Sequence, residues 1–292
     1  MLGLLIWTVP AIGAEAFWTG WLGPNRDGWV GTFKAPKTWP AKLQTAWRIK
    51  VGEGYGTPLV IGDRVFQHAR IGEKEVVWAL DLKTGRKVWQ TYFETPFKIG
   101  GGGEKHGKGP KANPAYANGR LFVMSIAGRL SALDAAEGKV LWRADYDSKF
   151  QPSHPRWGMC NSPVVDANRV IARFGNDESG LLAAFDVRSG KEIWTQGNDL
   201  PSYSSPTVVT HKGIRQVIEW NRRALVGVNV KTGNLLWEYP FPRVGTNQNM
   251  PTPAFYQGKV LLGGENRGLH GIEPKLENGK WTVSSYWSNR KV

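Results

Sequence analysis

The sequence holds one cysteine, Cys160, in 292 residues, so no disulfide can form within the chain and no cluster of thiolates can hold zinc. Cys160 reads as a small hydrophobe of the interior rather than a reactive thiol, and its position rules out a lipid-modified cysteine behind an N-terminal signal. The five histidines, His68, His106, His154, His211 and His270, fall at no metal-ligand spacing. There is no glycine-rich phosphate loop ending in Lys-Ser or Lys-Thr and no Gly-x-Ser-x-Gly nucleophile elbow, which removes the sequence basis for ATP hydrolysis and for serine esterase chemistry. The apolar run Leu2 to Ala14 falls short of a membrane span, and no later run is longer.

Acidic residues are also scarce: 24 Asp and Glu face 38 Lys and Arg, for a formal charge of +14. Such an excess favours anionic partners, yet no nucleic-acid recognition motif is present and no specific nucleic acid is expected. The basic residues are scattered apart from Lys98, Lys105, Lys108 and Lys111 with His106, in and beside the glycine-rich stretch Gly100 to Gly109. That stretch reads as a flexible, solvated loop.

What the chain does have is turn formers and tryptophan, with Gly 36, Pro 18 and Trp 15. One pattern recurs four times at constant spacing, over Ala79–Trp89, Ala132–Trp142, Ala184–Trp194 and Gly227–Trp237. In each, Ala or Gly stands first, Asp or Asn third (Asp81, Asp134, Asp186, Asn229), Gly seventh (Gly85, Gly138, Gly190, Gly233) and Trp last. The Asp or Asn side chain accepts hydrogen bonds from the turn that follows it, and the glycine supplies the positive φ of a tight, bulged hairpin. The small first residue leaves room for close packing, and the tryptophan offers a broad face and one N–H to wedge between sheets.

Upstream of each unit a small polar residue, a proline and an apolar strand recur: Thr57-Pro58, Asn113-Pro114, Ser162-Pro163, Ser205-Pro206 and Thr252-Pro253. A turn and a further strand follow each, giving four strands per repeat. Trp89, Trp142, Trp194 and Trp237 succeed one another at intervals of 53, 52 and 43 residues, the length of a four-stranded propeller blade. A fifth, degraded copy runs from Gly271-Ile272-Glu273 to Trp287. The expected organisation is a signal peptide over residues 1–16, ending in Ala14-Glu15-Ala16, a lead-in over 17–44 and an all-β propeller over 45–292.

The Ala-x-Asp-x-x-Thr-Gly-Lys-x-x-Trp unit resembles the tryptophan-docking motif of pyrroloquinoline-quinone-like repeat propellers, and the resemblance covers roughly residues 45–288. The opening Trp18-Thr19-Gly20-Trp21-Leu22-Gly23-Pro24-Asn25-Arg26-Asp27-Gly28 is similar to a lead-in of secreted bacterial members. That superfamily contains quinoprotein alcohol dehydrogenases and a propeller lipoprotein of outer-membrane protein assembly. The resemblance implies eight blades of four antiparallel strands, of which about five are present here, as an incomplete ring; the alternative is a compact five-bladed ring. Thr45 to Lys50, with Trp47, reads as an outer strand with no blade of its own, and an open arc of this kind is expected to associate with itself through its edges.

In a propeller the residues before the repeated prolines ring one mouth of the central channel. Thr57, Asn113, Asn161, Ser162, Ser205 and Thr252 are therefore candidate ligand-binding residues, although Ser, Thr and Asn also cap strand starts. Trp157 opens the connection into one channel-lining strand and joins them. Trp47, Trp89, Trp142, Trp194, Trp237 and Trp287 are the structural docking residues. A quinoprotein dehydrogenase requires a bound quinone, calcium on hard oxygen ligands and a carboxylate base. Asn161, Asn176, Asp177, Glu265 and Asn266 could contribute, but the sequence pins them to no common place, and the adjacent cysteine pair that the resemblance implies for such enzymes is missing. The expectation is an exported, periplasmic or extracellular binding or scaffolding propeller with no catalytic residue, cofactor or metal, recognising an envelope protein or glycan. The alternative is a dehydrogenase using pyrroloquinoline quinone and calcium.

Overall fold

The computed structural model describes residues 18–31, 33–100, 102–150, 154–245 and 249–291; the expected signal peptide lies outside the described residues. Among these residues twenty strands form five four-stranded antiparallel sheets. Blade one is β1 (Leu59–Ile61), β2 (Arg64–Ile71), β3 (Lys74–Asp81) and β4 (Lys87–Glu94). Blade two is β5 (Ala115–Ala117), β6 (Arg120–Met124), β7 (Arg129–Asp134) and β8 (Val140–Asp145). Blade three is β9 (Val164–Asp166), β10 (Arg169–Gly175), β11 (Gly180–Asp186) and β12 (Glu192–Gln196). Blade four is β13 (Thr207–His211), β14 (Ile214–Trp220), β15 (Ala224–Asn229) and β16 (Leu235–Pro240), and blade five is β17 (Ala254–Tyr256), β18 (Lys259–Gly264), β19 (Gly268–Glu277) and β20 (Lys280–Asn289). Every strand pairs with its sequence neighbour, so each blade is a meander.

The recurring unit becomes the hairpin between the third and fourth strands. Gly85, Gly138, Gly190 and Gly233 have φ of 68°, 73°, 71° and 77°, and the register slips at Ala79/Leu80 and its equivalents, as a bulged turn requires. Asp81 Oδ1 accepts from the Thr84 amide (2.8 Å) and hydroxyl (2.7 Å), Asp186 Oδ1 does the same with Ser189 (2.8 Å each), and Asn229 Oδ1 accepts from the Lys231 amide at 2.9 Å. The Thr84 hydroxyl holds the Asp81 carboxyl below its ordinary range, and the Ser189 amide does so for Asp186. A folded-state value below the unfolded one contributes stability that is present above the unfolded pKa and lost as pH falls through the folded value. The Asp81→Asn/Asp186→Asn variant, built to match untitratable Asn229, is therefore expected to unfold at lower pH than the parent in an acid titration followed by circular dichroism. An unchanged acid midpoint would show that these turns do not set it.

The tryptophan at the end of each unit serves two blades. Within its own blade it lies across from the small first residue: Trp89 opposite Ala79, Trp142 opposite Ala132, Trp194 opposite Ala184, Trp237 opposite Gly227 and Trp287 opposite Gly271. At Gly227 an added Cβ would stand 2.2 Å from the Trp237 ring. Towards the next blade, Trp47, Trp89, Trp142 and Trp194 donate Nε1–H to the carbonyls of Leu82 (2.9 Å), Ala135 (3.1 Å), Val187 (3.2 Å) and Val230 (2.9 Å), each the residue after the turn Asp or Asn. Their rings lie on the turn glycines, where a Cβ would come within 2.5–2.8 Å. The glycine is thus required both for its positive φ and for the approach of the preceding blade's tryptophan.

Two docking positions depart from the expected pattern. Trp237 is buried between blades four and five but gives its N–H to Gln216 Oε1 (2.7 Å) in its own blade, and the equivalent carbonyl in blade five, Pro274 O, is met by His211 Nε2 at 2.9 Å. The degraded fifth unit, with Glu273-Pro274-Lys275 in place of the usual turn, explains this, because β19 and β20 run on as a longer hairpin with no glycine platform at that point. Trp287 covers Gly271 but stays 39% exposed, with no following blade among the described residues.

Shared cores join blade one to two (Phe66, Val77, Leu121, Val123), two to three (Phe122, Met124, Ala172, Phe174), three to four (Ile171, Leu182, Val217, Val226) and four to five (Ile218, Leu225, Val260, Ile272). The other face of blade one is covered by Trp47, Ile49 and Val51 against Val65, Val76 and Leu80. Residues 45–50 form no strand and pair with no strand of blade five among the described residues. None of these cores joins blade five to blade one, the arrangement expected of an open arc.

Candidate functional site

The repeated proline biases the residue before it to extended backbone, and in extended chain side chains two apart share a side. Where the chain stays extended, the residues one and three places before a proline share a side, as Cys160 and Ser162, Tyr203 and Ser205, and Met250 and Thr252 do at one cavity. Five blades bring their third-before-proline residues, Tyr55, Lys111, Cys160, Tyr203 and Met250, to a single cavity of about 500 Å³, together with Ser162, Ser205 and Thr252 from the one-before set. Trp21, His106 and Trp157 complete the lining. Of the sequence-expected residues, Ser162, Ser205, Thr252 and Trp157 are thus brought together. Thr57 and Asn113 stand beside the cavity in the hydrogen-bonded ring, and Asn161 is buried behind it, its amide donating to Ser202 O at 3.4 Å. The larger side chains Tyr55, Lys111, Tyr203 and Met250 were legible in the same repeat, two places upstream of residues already singled out.

The mouth ring is tied blade to blade. Asn113 Nδ2 donates to Thr57 O (3.3 Å), the Asn113 amide to Ser162 Oγ (2.9 Å) and the Ser162 amide to Ser205 Oγ (2.9 Å). Blade five joins through the lead-in, whose Trp21 Nε1 donates to Thr252 Oγ1 at 2.8 Å. The same lead-in bridges Trp18 to Val60 in blade one and accepts the Tyr116 amide on Thr19 O in blade two. In blade three Arg26 Nη1 and Nη2 donate to Pro163 O (2.9 Å) and Ser162 O (3.2 Å). Residues 18–26 therefore strap the beginnings of four blades together across the channel, and burial lowers the Arg26 guanidinium to about 9.

The glycine-rich stretch, expected to be a solvated loop, packs at this mouth. Gly100 N–H donates to Arg156 O (2.8 Å), an added Cβ on Gly103 would lie 2.5 Å from Trp157, and one on Gly109 would lie 2.6 Å from the Glu53 backbone. The loop delivers His106 against Trp157, ring centroids 5.6 Å apart, and Trp157 in turn stacks on Tyr203 at 5.4 Å. Lys98 and Lys105 stay exposed as expected, whereas Lys111 turns inward, donating to Gly107 O (3.3 Å) with Nζ 5.7 Å from the Tyr55 ring. Desolvation lowers the Lys111 ammonium and raises Tyr203. Burial also pushes the Cys160 thiol up to about 12, which makes it a poor nucleophile.

The residues that a calcium–quinone centre would need do not converge here. Asn176 Oδ1 accepts the amides of Glu178 and Ser179 and its Nδ2 donates to Phe150 O, Asp177 pairs with Arg222, and Glu265 and Asn266 sit in the exposed turn between β18 and β19. No Asp or Glu is among the described residues lining the cavity, and no three His, Cys, Asp or Glu among the described residues cluster as metal ligands. The hard-oxygen set and carboxylate base of a quinoprotein dehydrogenase do not fit these side chains.

Outer membrane protein assembly factor BamB from Shewanella oneidensis is 27% identical over 165 residues, 54% of this chain and 38% of that protein. Quinohemoprotein alcohol dehydrogenase ADH-IIG from Pseudomonas putida is 28% identical over 159 residues, 52% of this chain and 21% of that protein. The chain spans less than half the length of the curated relatives it matches. The crystal structure of BamB from Moraxella catarrhalis superposes with a TM-score of 0.56 at 17% identity, over 82% of this chain and 64% of that one, a likeness of fold. A family model described as outer membrane protein assembly factor BamB matches residues 43–101 and 97–290, and the chain accordingly belongs to that family of pyrroloquinoline-quinone-like repeat propellers.

Proposed function

We propose that this protein is an exported, non-catalytic propeller that binds or scaffolds a partner of the cell envelope, protein or glycan. The observation that carries this reading is the composition of the mouth cavity: every blade supplies a side chain to it, and none of the described lining residues is a carboxylate. A built, mostly apolar cavity with a few convergent polar groups is what binding needs, whereas alcohol oxidation on a quinone needs a base and a divalent cation as well. The similarity to outer-membrane assembly factors supports the same reading and an envelope location.

The similarity to quinohemoprotein alcohol dehydrogenases favours a second reading, a quinone- and calcium-dependent alcohol or sugar dehydrogenase. Incubating the purified protein with pyrroloquinoline quinone and calcium, then following reduction of an artificial electron-acceptor dye by alcohols and aldoses, separates the two. No substrate-dependent reduction above the protein-free rate is expected. Reduction that depends on substrate and disappears with a chelator would overturn the non-catalytic reading.

A further inference from the structure

The polar atoms that line the mouth cavity are weighted towards hydrogen-bond donors. Ser162 Oγ, Ser205 Oγ and Thr252 Oγ1 each already accept one N–H, from Asn113, Ser162 and Trp21 at 2.9, 2.9 and 2.8 Å, and none of the three hydroxyls donates to a described residue. Their O–H groups are left to donate inward. Lys111 adds an ammonium, the one Lys or Arg among the described lining residues; no described Asp or Glu lines the cavity, and the acidic group that acts on this ammonium, Glu75, is buried outside it.

The rest of the wall is apolar and aromatic, from Tyr55 and Met250 at the exposed rim to the buried serines at depth. A sugar carries as many donors as acceptors, and its hydroxyl hydrogens would find few acceptors against these groups. A carboxylate accepts only, and one ammonium matches one negative charge in a partly desolvated site, where an ion pair gains most from the low local dielectric. The aromatic walls in turn suit a flat apolar body rather than a hydrated one.

We infer that the mouth cavity is a binding site for a small monocarboxylate with a flat apolar body, its carboxylate on Lys111 and the donors from Ser162, Ser205 and Thr252, and its body among Trp21, Tyr55 and Tyr203. The inference rests on reading the mouth as a binding site and names the ligand chemistry that it selects.

The test uses 2-naphthoate and its uncharged isostere 2-naphthamide, titrated calorimetrically into the full chain. Naphthoate is expected to bind at least ten-fold more tightly than naphthamide. Lys111→Gln is expected to weaken naphthoate at least ten-fold while leaving naphthamide within two-fold, and Lys111→Arg to keep the preference for the acid. Lys98→Gln, on the exposed start of the same loop, is expected to change neither. Equal binding of acid and amide, binding of neither, or a preference that survives Lys111→Gln would each overturn the inference. Circular dichroism of each variant separates loss of the site from loss of the fold. Should Lys111→Gln not fold, loss of the acid preference in a folded Lys111→Arg would overturn the inference in its place. Chelator-sensitive dye reduction together with an intact naphthoate preference would overturn the non-catalytic reading and leave this inference standing.

Discussion

Replacing Trp194 with alanine is expected to destabilise the protein by about 3–5 kcal/mol, the usual range for deleting a buried large aromatic, whereas Trp287→Ala is expected to cost no more than about 1 kcal/mol, as for a substitution away from a packed core. Both residues close the same sequence unit and lie across from a small residue of their own blade, Ala184 and Gly271. They differ in what stands in front of them. Trp194 is 7% exposed, donates to Val230 O at 2.9 Å and lies on Gly233, where an added Cβ would come within 2.8 Å of its ring. Its loss opens a cavity between blades three and four and orphans a buried carbonyl. Trp287 keeps its blade-five packing but has no following turn among the described residues. Urea unfolding of the two variants measures the difference, and equal midpoints would show that docking on the next blade contributes little beyond intra-blade packing.

Breaking the ion pair between Arg173 and Glu219 is expected to cost about 3–5 kcal/mol in either single variant, Arg173→Met or Glu219→Leu, because each leaves the partner charged and buried. Arg173 on β10 and Glu219 on β14 are each 1% exposed and bind through two guanidinium nitrogens and both carboxylate oxygens, tying blade three to blade four, while Arg173 Nη1 also reaches Asp199 O at 2.9 Å. The double variant removes both charges and fills the space with apolar groups, so it is expected to lose less than the sum of the singles, and less than either single alone if the side chains pack well. Single variants within about 1 kcal/mol of the parent would place this pair with surface ion pairs of small net effect. Denaturant midpoints with unchanged slopes are the measurement, since a changed slope would mean that the folded or unfolded state itself had altered.

The fold was legible because its signals are local. Asp81, Gly85 and Trp89 specify a bulged hairpin within eleven residues of Ala79, and the same spacing at Asp134, Asp186 and Asn229 fixes where each blade turns. The mouth ring was legible for the same reason, since Ser162, Ser205 and Thr252 precede prolines in every repeat. The larger lining residues were missed although their signal was present: in extended chain Tyr203 and Met250 share a side with Ser205 and Thr252, a consequence of period two.

Other features had no local signature. The glycine-rich stretch carries no sign of burial in its sequence, yet its contacts with Arg156, Trp157 and Glu53 pack it against the mouth. His211 gave no hint that it meets the carbonyl a tryptophan meets elsewhere, because that role depends on where blade five places Pro274. The sequence by itself determined the repeat, the hairpins and the identity of the side chains available to the channel, all set by φ preference, strand alternation and hydrogen bonding within a dozen residues. The tertiary structure decided which of those side chains meet: the strap from Trp18 to Arg26 across four blades, the pairing of Arg173 with Glu219 and the enclosure of Lys111 join residues far apart in the chain, whose contacts exist only once the blades have packed.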